Sequence, residues 1–257
     1  MVDTIFTLIA SIVALIGAMG SAGIAAWVVF YSDHRKHLNE VEKAMAKYRD
    51  PLMLAAYDLE RKLWVLAEVE HLKNTRAEQD YLHARTYFLL GQYFSWVYIL
   101  RNETQLLRFS ETERTKLHTK ALAKIADEFS ERQKGSSQVL RLRTGDQEAL
   151  GEEMTTEKRG EKEGQRICIG YHTFQRQLAE GKLRKPLFLE IKRDIDNITL
   201  GRMGRKDAVD RERVLRLQHL LADLVGELDP DRLHHDFKAR REAIKSCKCN
   251  FCAQEGE

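Results

Sequence analysis

Residues 86–100 read TYFLLGQYFSWVYIL, fifteen positions without a charge and with six aromatic rings. Arg85 and Arg101 bracket the run closely. A membrane crossing needs about 17–25 apolar residues, so this segment is too short to span. A helix that is apolar on most sides is instead the central helix of a bundle. Gly91, in its middle, offers a place where a neighbour can pack close. The segment lies within a longer helix expected from Arg76 to Phe109, after a break at Asn74-Thr75.

Around this helix the sequence predicts several others. Asp50-Pro51 reads as a helix start, with Asp as N-cap and Pro at the first helical position. Leu52, Ala56, Leu59, Leu63, Leu66 and Val69 then follow along one face to about Leu72. Ser110-Glu111-Thr112-Glu113 is a capping box that opens a helix to about Phe129. Further helices are expected from Thr144, over Tyr171–Glu180, Pro186–Thr199 and Asp207–Leu228, and after Asp229-Pro230 to about Ser246. Val139 to Arg143 and Arg166 to Ile169 are the candidate strands of a short two-stranded ribbon. Thr155 to Gln165, rich in charge and glycine, reads as a solvated loop between them.

The N-terminus has a different composition. Residues 1–31 hold one charge, Asp3, whereas the rest of the 257-residue chain carries 80 of its 81 charges. Thr4 to Tyr31 is 28 residues with neither charge nor proline. It is long enough to cross a bilayer as a helix and longer than the ~7–15 residues of a signal-peptide core. Trp27, Phe30 and Tyr31 lie where an interfacial aromatic belt would. Arg35, Lys36, Lys43, Lys47 and Arg49 follow the span, which predicts a cytoplasmic body by the positive-inside rule. Within the run, Ala10, Ala14, Ala18, Ala22 and Ala26 recur every four residues, with Gly17, Ser21 and Ala25 beside them. Small residues so spaced let helices approach closely in lipid, as in a homo-oligomer or a contact with another membrane protein.

The fold class expected is therefore mainly α. It comprises an anchor at 1–31, a juxtamembrane helical stalk at 32–50, a cytoplasmic helical domain at 51–200, and a C-terminal helical segment with a Cys-rich tail at 201–257. Leu38, Val41, Met45, Tyr48 and Leu52 make a seam of about two heptads along the stalk. A net charge of +3 spread over the whole chain argues against nucleic-acid binding.

Chemistry concentrates in the tail, where Cys247, Cys249 and Cys252 form a C-x-C-x2-C cluster. Three thiolates and one imidazole make a tetrahedral zinc set. His235, beside His234, is the nearest candidate for the fourth donor. A continuous helix would hold His235 roughly 18 Å from Cys247, so the chain must turn back for the set to close. Cys168, between two isoleucines, reads as a buried small hydrophobe. Asp146, Glu148, Glu152 and Glu153 cluster where a helix N-terminus favours acids. His83, His118, His172 and His219 fall on separate predicted helices, and no metalloprotease, nucleophile-elbow or phosphate-loop motif is present. The Gly201–Lys206 loop and the basic segment with Arg232, Lys238, Arg240 and Arg241 read as solvated surface, with lipid headgroups as the alternative ligand.

Three readings of function follow. The first is a membrane-anchored interaction or scaffold module, self-associating through its span or binding a membrane or cytoplasmic protein. The second is a membrane-tethered metal or redox sensor that uses the cysteine tail. The third is an enzyme of unidentified class, with Asp146–Glu153 and His172 as the available acid–base groups.

Overall fold

The computed structural model describes residues 27–33, 35–36, 43, 47–67, 75–105, 113–131, 138–158, 164–183, 185–199, 205–230, 244, 247, 249 and 252. Mainly helical architecture is present, with one two-stranded sheet. Residues 47–67 form α1. There follow α2 (Arg76–Gln105), α3 (Glu113–Ser130), α4 (Thr144–Glu153), β1 (Thr155–Glu157), β2 (Arg166–Cys168), α5 (Tyr171–Ala179), α6 (Lys185–Thr199) and α7 (Arg205–Leu228). Among the described residues, no helix is long and apolar enough to cross a membrane. Residues 4–26 of the predicted span, with its small-residue ladder Ala10 to Ala26, lie outside the described residues, and residues 27–31 are helical.

Helix α2 is the axis of the bundle, as its sequence predicts. It starts where Thr75 and Glu78 cap each other. The Glu78 carboxylate accepts the Thr75 N–H at 2.7 Å, and the Glu78 N–H donates to Thr75 Oγ1 at 3.4 Å. Such reciprocal capping satisfies backbone donors that the first helical turn leaves unpaired. Tyr87, Leu90, Tyr93, Phe94 and Ile99 are all buried. Their rings reach three other helices: Tyr87 meets Phe174 of α5 and Phe188 of α6, and Phe94 meets Phe129 of α3 edge-on at 5.2 Å. Aromatic pairs of this geometry add about 0.5–1.5 kcal/mol each beyond their buried area.

Helix α4 lies hardest against α2, and a glycine explains how. A Cβ on Gly151 would stand 2.6 Å from the Phe94 carbonyl oxygen and 2.9 Å from Tyr98 Cβ. The partner is backbone, so no rotamer change relieves the clash. Gly91, on the facing helix, leaves its space to the Met154 side chain, which would be 2.7 Å from an added Cβ. At this junction Ser95 Oγ donates to the Met154 carbonyl at 3.3 Å, and the Ile169 N–H reaches the same oxygen at 2.9 Å. The two strands are thereby tied to the central helix.

Three expectations need correction. Helix α1 does not begin at Pro51: residues 47–50 are already helical, and Tyr48 is buried against Trp96 of α2 with ring centroids 6.3 Å apart. Burial of Tyr48 and Leu52 offsets what an interior proline costs. The ribbon is antiparallel, but β2 pairs with β1, Thr155 opposite Cys168 and Glu157 opposite Arg166. Val139–Arg143 is not its partner. That segment turns at Leu140, whose φ is +52°, so that Val139, Leu140 and Leu142 all enter the core. The Asp194 carboxylate accepts the Leu140 N–H at 2.9 Å, and burial pushes that carboxyl up to about 6.

Helix α7 closes the bundle through buried polar contacts. Arg213 Nε donates to the Val139 carbonyl at 2.9 Å, and its Nη2 donates to the carbonyls of Glu128 and Phe129 at 2.7 and 3.2 Å. It therefore binds the C-terminal carbonyls of α3, where the helix dipole favours a cation. Gln218 donates to the buried Glu60 of α1, and Arg211 Nε donates to the Ala67 carbonyl at 3.0 Å.

Gly151→Ala is expected to destabilise the fold by about 1–3 kcal/mol through overpacking. Gly145→Ala, with open space around the added methyl group, should leave the melting temperature unchanged or raise it. Arg213→Met should cost about 1–3 kcal/mol, since it removes buried donors to the Val139, Glu128 and Phe129 carbonyls, while Arg216 still pairs with the Glu128 carboxylate. Thermal melts of the three variants check both effects.

Candidate metal centre

Between Val214 and Val225 of α7, Gln218 and His219 are fully buried among leucines, whereas Arg216 and Asp223 are half-buried. Leu217 and Leu221 anchor the same stretch in the main core. The helix ends at Leu228, followed by Asp229 and the turn residue Pro230, and the three tail cysteines lie back against the helix at His219. Cys249 Sγ is 3.5 Å from His219 Nδ1, and Cys252 Sγ is 3.4 Å from the same nitrogen. The four donor atoms, three sulfurs and one nitrogen, all lie within 4.8 Å of one another. Leu220 and Ile244 flank the sulfurs.

The tail is held by contacts to these sulfurs. Cys252 N–H donates to Cys249 Sγ at 3.3 Å, and Ile244 N–H donates to Cys252 Sγ at 3.3 Å. The Cys247 N–H donates to the Ile244 carbonyl at 3.0 Å. Hydrogen bonds from the Cys247 thiol, the His219 ring and the Cys252 N–H hold Cys249 far below the usual thiol range, at about 3. Cys247 is pushed up by its hydrogen bond to Cys249 and by burial; Cys252 is pushed up chiefly by burial.

This donor set fits one soft or borderline cation. Bonds of about 2.3 Å to sulfur and 2.0–2.1 Å to nitrogen give a tetrahedron with S···N edges near 3.6 Å. The two S···N distances above are close to that edge. Thiolate and imidazole donors select against calcium and magnesium, which take oxygen ligands. The group can therefore hold a metal ion.

The three cysteines named by the sequence lie together, and the histidine that stands with them is His219; His235, sixteen positions later, lies outside the described residues. One signal for His219 was available: a histidine set within an otherwise leucine-rich helical face must find a partner or a ligand. The other histidines among the described residues are not gathered. His83 bonds Asp196 at 2.6 Å, His118 is buried on α3, and His172 is exposed on α5.

The acidic cluster at α4 also separates. Asp146 Oδ2 accepts the Arg143 N–H at 3.3 Å, a capping role. Glu148 and Glu152 line a cleft of about 280 Å³ with Tyr98, Arg101 and Asn102. Cys168 stands apart on β2, where burial pushes its thiol up to about 11. Of the Gly201–Lys206 loop, only its last two residues are described, within α7.

No protein-family model matches this chain, and comparison with curated proteins and with solved structures gives no match.

His219→Ala should lower metal affinity at least about 100-fold, beyond the ~10–100-fold of an outer-shell loss. His235→Ala should leave affinity unchanged. Competition of the full-length variants against a chromophoric chelator reads both. Equal losses, or a loss in His235→Ala alone, would reject the His219 assignment.

Proposed function

We propose that this chain is a single-pass membrane protein whose helical body is an interaction module, with its C-terminal tail locked to the core by a structural zinc ion. The observation that carries this reading is the donor set of Cys247, Cys249, Cys252 and His219, three thiols and an imidazole on a buried helix. Four protein donors fill a tetrahedral zinc and leave no open position for substrate, which is the arrangement of structural rather than catalytic centres. Cysteines that ligate separate irons in a multinuclear cluster would need to stand farther apart.

The anchor is supported by the uncharged run of residues 4–31 and by its described end. Trp27, Val28, Val29, Phe30 and Tyr31 are helical and exposed, Trp27 stacks on Tyr31 at 5.6 Å, and Arg35 lies over the Tyr31 ring at 5.0 Å. Aromatic rings followed by cations suit the headgroup boundary of a bilayer. The basic residues after the run favour a body on the cytoplasmic side, where thiols stay reduced and free to bind metal. The Ala10–Ala26 ladder suits self-association in the membrane.

Three measurements on the full-length protein test this. In native membranes the chain should resist alkaline carbonate extraction; recovery in the supernatant would reject the anchor. Crosslinking should give a dimer or a discrete complex that Ala22→Ile and Gly17→Leu weaken. Monomer alone, with no bound partner, would reject the interaction module. Purified protein should carry about one zinc per chain, and metal below ~0.2 per chain would reject the metal lock.

A further inference from the structure

The three sulfurs of the centre are not equally enclosed. Cys249 is sealed at 0% exposure, while Cys247 and Cys252 sit at the rim with 8% and 9%. All are free thiols, and the donor atoms lie within 4.8 Å of one another. Cys249 and Cys252 have Cys-x-x-Cys spacing, and the Cys252 N–H donates to Cys249 Sγ at 3.3 Å. Both sulfurs also converge on a single nitrogen, His219 Nδ1. Each therefore has a second sulfur within a small movement, and Cys252 is the less enclosed of the two. Cys168 differs: it is a solitary thiol whose Sγ donates to the Ile169 carbonyl at 3.5 Å.

Resting on the zinc reading above, we propose that Cys249 and Cys252 are a peroxide-responsive pair whose oxidation to a disulfide ejects the metal and releases the tail from α7. In the first step the rim thiolate of Cys252 attacks hydrogen peroxide. An S–O bond forms as the O–O bond breaks, leaving a sulfenic acid and hydroxide. In the second step the Cys249 thiolate attacks that sulfur, the S–S bond forms, and the S–O bond breaks with loss of a second hydroxide. Two protons from solvent convert both hydroxides to water. Two thiolates have lost two electrons, and peroxide has gained them. The zinc ion then keeps only Cys247 and His219 as donors, too few to hold it against water and buffer ligands. A thiol reductant reverses the disulfide, and zinc can rebind.

The closing experiment uses full-length protein in detergent, loaded with zinc and assayed for metal content before oxidation. Stoichiometric hydrogen peroxide is added with a chromophoric zinc chelator present, and disulfides are mapped by peptide mass spectrometry. Release of about one zinc per chain is expected, together with a Cys249–Cys252 link, and dithiothreitol with added zinc should restore the starting state. Cys168→Ser should release zinc at the unchanged rate. A chain that takes up no zinc at the outset rejects the zinc reading and the switch with it. A chain that holds zinc and keeps it under peroxide, or that loses it with only sulfinic acid or intermolecular disulfides formed, rejects the switch and leaves the zinc reading standing.

Discussion

A single buried guanidinium sets the position of the helix on which the candidate centre is built. Arg213 is 1% exposed and donates to three main-chain carbonyls, two at the end of α3 and one at Val139 in the segment after it. The Phe129 carbonyl also takes the Leu142 N–H at 2.9 Å, so the arginine shares in satisfying main-chain groups that burial makes costly to leave unpaired. Its planar fork and fixed charge suit the task in a way that lysine would not. Burial works against the charged form of Arg213, and the Glu128 carboxylate, 3.7 Å away, opposes that effect. The contact therefore fixes α7 in both translation and rotation against α3.

Rotation matters because the donors of α7 are spaced along one helix. Gln218 follows Arg213 by five residues and bonds Glu60 of α1, and His219 follows next. With α7 held at Arg213 and Gln218, His219 has no freedom to swing away from the core boundary where the cysteines meet it. At the contact of α2 with α4 a steric constraint does comparable work. The missing side chain at Gly151 lets α4 reach the backbone of Phe94, and the strands that follow α4 inherit that position. One helix of the fold is thus located by charge and hydrogen bonds, another by the absence of a methyl group.

Much of the helical layout was legible because the relevant signals are local. The uncharged aromatic run told of a central helix, and Thr144 and Tyr171 were read correctly as helix starts. Where the decision depended on distant residues, sequence reasoning failed. Asp50-Pro51 has the chemistry of a helix start, yet burial of Tyr48 beside Trp96 keeps the preceding turn helical. Val139–Arg143 alternates like a strand, but Arg213 takes the Val139 carbonyl and Asp194 takes the Leu140 N–H, so the hydrogen bonds a ladder needs are already spent. Thr155–Glu157 looked like loop because its pairing rests on β2 and on Met154, neither of which is visible in a three-residue window. The centre divides the same way. Three cysteines within six positions announce themselves, whereas His219 joins them only through the fold.

The physical demand of the tail explains why that union should involve metal. From Ile244 onward the chain has few apolar residues besides the cysteines themselves, chiefly Ile244 and Phe251. Ordering backbone costs roughly 1–2 kcal/mol per residue. Burying one or two aliphatic or aromatic side chains returns only about 1.5–3 kcal/mol each. Hydrophobic contact alone is too small to hold such a segment against a helix of the core. Structural zinc sites contribute on the order of 10–16 kcal/mol of apparent binding free energy, a scale that matches the deficit. With one donor on α7, a metal bound there would tie a polar tail to the part of the chain that Arg213 holds. A ligand set confined to the tail, as with His235, would close a small loop and leave the bundle indifferent to the metal. A metal held by His219 as well would couple the two, so that the state of three sulfurs would bear on the whole fold.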